Sequence, residues 1–103
     1  MNASFQNLIN GDRPVLIDFH ATWCGPCQMM DPIVKQLAGG YKEKVRIVKI
    51  DIDKNKQLAT ELKVMGVPTF MLYKAGKRIW RQSGMLTITA FEEVLEEQLS
   101  AEV

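Results

Sequence analysis

The chain has 103 residues, 47% hydrophobic and 24% charged, enough for one compact domain (residues 1–103) with a modest core and too few for a second. Its 13 Lys and Arg against 12 Asp and Glu make no basic field for a nucleic-acid backbone, and its apolar runs are too short to span a membrane. The opening MNASFQNLINGDRP has neither the charged nor the apolar region of a secretory leader, so the sequence reads as cytoplasmic.

In chain order, residues 4–10 (SFQNLIN) place Phe5, Leu8 and Ile9 at helical spacing, and Gly11 follows as a stop. Residues 15–19 (VLIDF) form a short β-branched run, apolar except for Asp18, which predicts a central strand covered on both faces. Residues 26–41 predict a long helix with Met29, Met30, Ile33, Val34, Leu37 and Ala38 at helical spacing, kinked at Pro32 and ending at Gly39-Gly40. A parallel crossover leads to a second strand at residues 46–52 (RIVKIDI). Asn55 caps a short helix over residues 56–62, with Leu58, Ala59 and Leu62 on one face. Residues 69–73 (TFMLY) and 78–83 (RIWRQS) flank a Gly-containing connection from Lys74 to Lys77, which predicts an antiparallel hairpin. Thr87 caps a last helix with an apolar stripe of Phe91, Val94, Leu95 and Leu99 and a wet face of Glu92, Glu93, Glu96 and Glu97. The fold class is α/β.

The two cysteines, Cys24 and Cys27, sit three positions apart at the start of the long helix. As a structural staple, a bridge over so few residues stabilises by only roughly 2 kcal/mol on a chain-entropy estimate. As zinc ligands they lack company: with His20 the chain offers three Cys or His side chains, so a tetrahedral site needs a carboxylate or a second chain. Redox chemistry fits the spacing better. A cysteine at a helix N-terminus meets unpaired N–H groups and the positive end of the dipole, which favour a thiolate, and a second one turn on is within reach of a mixed disulfide. Pro26 suits the first turn and Gly25 permits a tight bend.

The run DFHATWCGPC, with Gly66-Val67-Pro68-Thr69, Gly76 and Gly84 downstream, resembles the thioredoxin family from about Ser4 to the last helix. The resemblance implies a thioredoxin fold: a mixed four-stranded sheet flanked by helices on both faces, in the order 46–52, 15–19, 69–73, 78–83. Most family members carry an extra strand before the first helix, and this chain is expected to lack it. The implied activity is protein-disulfide reduction without a bound cofactor or metal, by a monomer that a thioredoxin reductase re-reduces. Proteins with reducible disulfides are the implied partners. Two rivals stand beside it: a thiol oxidant or isomerase of an oxidising compartment, and a non-redox binding subunit using the apolar patch around Trp23.

Carried over residue by residue, the resemblance makes Cys24 the exposed nucleophile and Cys27 the buried resolving thiol. Asp18, an acid in a covered strand, is expected to have a raised pKa and to exchange protons with Cys27, with Lys49 nearby. Pro68 is expected to be cis. Trp23, Gly25, Pro26, Gly66, Val67, Gly84 and Met85 map to the substrate-docking surface, where an extended segment pairs with backbone, and Met65 and Met85 form an adaptable rim. Three departures from the family pattern bear on tuning. His20 replaces an aromatic and reads either as a packing residue or as a proton route. Gln28 replaces a basic residue, and Asp31 adds an acid to the helix, both weakening the positive field at Cys24.

Overall fold

The computed structural model describes residues 2–100. Its elements run α1 (Ala3–Ile9), β1 (Val15–His20), α2 (Gly25–Tyr41), β2 (Arg46–Asp51), α3 (Lys56–Glu61), β3 (Thr69–Lys74), β4 (Lys77–Ser83) and α4 (Ile88–Ser100). The four strands form one sheet in the order β2-β1-β3-β4, with β1 parallel to β2 and antiparallel to β3, and β3 antiparallel to β4. Order and directions match the expectation. Asn2 caps α1 through its side chain, whose Oδ1 accepts from the Phe5 amide at 2.7 Å.

Strand alternation divides the interior in two. Val15, Ile17, Phe19, Met71 and Tyr73 face α1 and α3 and pack with Phe5, Ile9, Leu58 and Leu62. Leu16, Phe70 and Leu72 face the other way, against Met30, Val34 and Leu37 of α2 and Phe91 and Leu95 of α4. Aromatic edges lock both layers, Phe70 on Phe91 at 4.8 Å and Phe5 on Tyr73 at 5.6 Å between ring centres. Being covered on both sides explains why β1 and β3 read as nearly unbroken apolar runs.

The structure corrects the sequence reading in several places. The long helix ends at Tyr41 as expected, but Gly39-Gly40 is not its stop: the Tyr41 ring is buried and its hydroxyl donates to Glu96 Oε1 at 2.8 Å, tying α2 to α4. Met29, expected in the core, is exposed, since Met30, Val34, Leu37 and Tyr41 already fill the inward stripe. Asn55 stands at the N-cap of α3, but its side-chain amide donates back to the Asp51 carbonyl at 2.9 Å instead of capping the helix. Between Leu72 and Tyr73 the β3–β4 register skips Ile79, a bulge that turns Ile79 and Trp80 onto the same layer. Trp80 there meets Phe91, 6.3 Å between ring centres.

Candidate active site

β1 delivers the chain to the end of the sheet, and residues 21–24 turn it into α2. Cys24 is the N-cap, with extended backbone (φ −89°, ψ 109°), and its sulfur accepts from the Cys27 amide at 3.1 Å. Gly25 and Pro26 form the exposed first turn, where Pro has no helical N–H bond to forfeit. One turn brings the two Cα atoms to 5.2 Å, and the sulfurs are joined in a disulfide. The exposure difference expected between the cysteines is not there: they are 4% and 5% exposed in this oxidised pair. Cys24 is covered because the Val67 carbonyl oxygen lies 3.6 Å from its sulfur, and Ala21, Ile52 and Val67 pack around the bridge. What separates the two sulfurs is position, since Cys24 alone sits at the cap and receives the helix N–H.

The loop that covers Cys24 arrives from α3. The Val67-Pro68 bond is cis, as expected, and Pro68 is buried. Thr69 Oγ1 donates to the Gly66 carbonyl at 2.6 Å and lies 2.9 Å from Ser83 Oγ. The Gly84 amide donates to the Pro68 carbonyl at 2.8 Å, and Gly84 has φ +93°, a left-handed value that favours glycine. Gly66, Gly84, Met65 and Met85 are exposed around this point, as is Trp23 (68%). The Trp23 indole N–H donates to Asp53 Oδ2 at 2.8 Å, which fixes the ring at the rim. Asp53 escaped the sequence reading, because nothing in its spacing shows a partner 30 residues away.

Behind the bridge lies a cavity of about 250 Å³ lined by His20, Ala21, Thr22, Cys27, Gln28, Asp31 and Lys49. His20, Gln28 and Asp31, the three residues expected to bear on tuning, meet there. Gln28 donates to the Thr22 carbonyl at 3.1 Å, and Lys49 pairs with Asp31 at 2.6 Å. Asp18, on the same sheet face as Leu16 and opposite Lys49 in register, is 2% exposed. Among the described residues no backbone N–H donates to its carboxylate. Burial pushes its pKa from 3.8 up to about 6; the Lys49 charge opposes that rise and Asp31 adds to it. Among the described residues no three His, Cys, Asp or Glu side chains converge as a metal site, and no helix is long and apolar enough to cross a membrane.

A bridge over so short a loop does little to brace the fold, so its chemistry lies in being opened and closed; the class is a dithiol–disulfide oxidoreductase. The Thioredoxin family model matches residues 1–97. A thioredoxin of Alicyclobacillus acidocaldarius subsp. acidocaldarius is 38% identical over 99 residues, 96% of this chain and 90% of that protein. Thioredoxin Y1, chloroplastic, of Arabidopsis thaliana is 42% identical over 97 residues, 93% of this chain but 56% of that protein's length. Oxidised mitochondrial thioredoxin 3 from Saccharomyces cerevisiae superposes with a TM-score of 0.83 at 41% identity, over 91% of this chain and 87% of that one. The chain belongs to the thioredoxin family. Members of that family act on protein disulfides and are re-reduced by thioredoxin reductase.

Proposed function

We propose that this chain is a general reductant of protein disulfides, working as a single-domain monomer in a reducing compartment, the cytoplasm, and recharged by a thioredoxin reductase. The observation that carries the reading is the Cys24–Cys27 bridge at the N-terminus of α2, with the Val67 carbonyl against it and, beside Cys27, a cavity whose Lys49 and Asp31 couple to the buried Asp18.

In the first step the Cys24 thiolate attacks one sulfur of the substrate disulfide. A Cys24–substrate bond forms, and the other substrate sulfur leaves as a thiolate that takes a proton from solvent. Cys27 then gives its proton to the Asp18 carboxylate, by way of water, and attacks the Cys24 sulfur. The intramolecular bridge forms and the second substrate sulfur leaves. Two electrons have passed to the substrate, and the reductase returns them. Lys49 serves by keeping Asp18 ionisable, because its charge offsets part of the cost of burial. The docking surface is Trp23, Gly25, Pro26, Gly66, Val67, Gly84 and Met85, on which an extended substrate segment pairs with the Val67 backbone.

Insulin reduction tests the reading, followed by precipitation of the freed B chain, with dithiothreitol as recycling thiol and then with NADPH and thioredoxin reductase. Both assays are expected to run with the wild type and to stop with Cys24→Ser. Activity that survives Cys24→Ser would defeat the assignment.

A further inference from the structure

Arg81, in the middle of β4, makes contacts that the exchange chemistry leaves unexplained. It pairs with Met71 across the sheet and lies on the α1 and α3 side. Its guanidinium reaches the end of α3, where Nη1 donates to the Leu62 carbonyl at 2.6 Å and Nη2 to the Lys63 carbonyl at 2.7 Å. Helix α3 ends in a closed turn: the Lys63 amide returns to the Thr60 carbonyl at 3.1 Å and the Val64 amide to the Ala59 carbonyl at 2.9 Å. That turn holds Lys63 at φ +55°, a left-handed value that lysine seldom adopts. It leaves the Leu62 and Lys63 carbonyls aimed at β4, and a planar fork satisfies both at once as no single-point donor can.

The segment that leaves this turn is the one that carries Met65, Gly66, Val67 and Pro68. Its far end is pinned by Thr69 on the Gly66 carbonyl and by Gly84 on the Pro68 carbonyl. Val64 and Val67 are half-buried at either side, but between them Met65 is 93% exposed and Gly66 has no side chain, so packing alone does not fix the path of the segment. Arg81 pins the near end.

We propose that Arg81 is a positioning residue for docking: through the C-terminus of α3 it sets the segment at residues 64–67 against which a protein substrate lies, and it takes no part in exchange at Cys24. The proposal rests on the substrate surface described above. Arg81→Lys keeps the charge and loses the fork; Arg81→Gln loses both. Three readouts decide: KM and kcat for insulin, the rate with the small disulfide 5,5′-dithiobis(2-nitrobenzoic acid), and amide hydrogen exchange. For Arg81→Lys the insulin KM is expected to rise about fivefold with kcat held, and for Arg81→Gln further, as expected when charge-assisted bonds that order a docking segment are lost. The rate with the small disulfide stays within about twofold, and amides 65–67 exchange faster while those of β1 and β3 do not. In an active protein, unchanged KM and unchanged exchange would overturn the proposal, and so would equal losses toward both disulfides with faster exchange in β1 and β3. A wild type that reduces the small disulfide but not insulin would instead defeat the docking reading beneath it.

Discussion

Asp18 shows how one residue ties stability to function. Its pKa is raised by burial to about 6, so the folded chain holds this proton more tightly than the unfolded chain does. Stability is therefore lost as pH rises from the ordinary carboxylate range through about 6 and does not return above it. Asp18→Asn removes the loss, and its stabilisation is expected to be larger at pH 8 than at pH 4 by on the order of 3 kcal/mol. Urea unfolding at both values measures this; equal gains at the two would contradict the buried-acid account. The same variant is expected to slow resolution of a mixed disulfide by Cys27, because the proton acceptor is gone. For the cysteines, alkylation of the reduced protein is expected to modify Cys24 at least about tenfold faster than Cys27, on the strength of the cap position. Mass spectrometry of partly alkylated protein reads the order, and a faster Cys27 would reverse the roles. The cysteine pair and the acid were legible in the sequence because spacing and placement in an apolar run are local properties. The Trp23–Asp53 bond, the Asp31–Lys49 pair and the Arg81 fork were not, since each joins residues 18 or more positions apart through strand register and loop path.

At the scale of elements, the hairpin between β3 and β4 is the sharpest local device. Ala75 has φ +50° and Gly76 φ +83°, the pair of left-handed residues that a two-residue turn needs to match the sheet twist. A Cβ at Gly76 would also collide with Asn10 Oδ1, and the Gly76 amide donates to the Ile9 carbonyl at 2.9 Å, so the turn docks on the end of α1. Gly76→Ala is expected to destabilise the protein by about 1–3 kcal/mol, read as a lower urea midpoint. The order and type of the elements followed from periodicity and turn residues alone. Their ends did not. Gly39-Gly40 carries a stop signal, yet burial of Tyr41 and its bond to Glu96 outweigh the roughly 1 kcal/mol that each helical glycine costs. Met29 and Met30 are indistinguishable to a periodicity argument, and only the packed sheet decides which one faces inward.

At the scale of the molecule, the sheet is closed on its faces and open at its edges. β2 carries exposed Arg46 and Lys49, and β4 carries Lys77 and Arg78, so strand pairing between copies would bring like charges together. Light scattering after size exclusion is expected to give the mass of one chain, and a dimer that dissociates on charge-conserving change of β2 would contradict that. The ends of the sheet's central strands meet the N-terminus of α2 and the cis-Pro loop, which gathers the chemistry at one rim and leaves the two cores to stability alone. Exchange runs in two steps in this reading: Cys24 attacks and Cys27 resolves. Incubating reduced Cys27→Ser with insulin whose disulfides are intact, and separating the products without reductant, decides between one step and two. A covalent adduct through Cys24 is expected to accumulate and to be released by dithiothreitol, with none from Cys24→Ser; an adduct formed by Cys24→Ser, or none by Cys27→Ser, would overturn the assignment of roles.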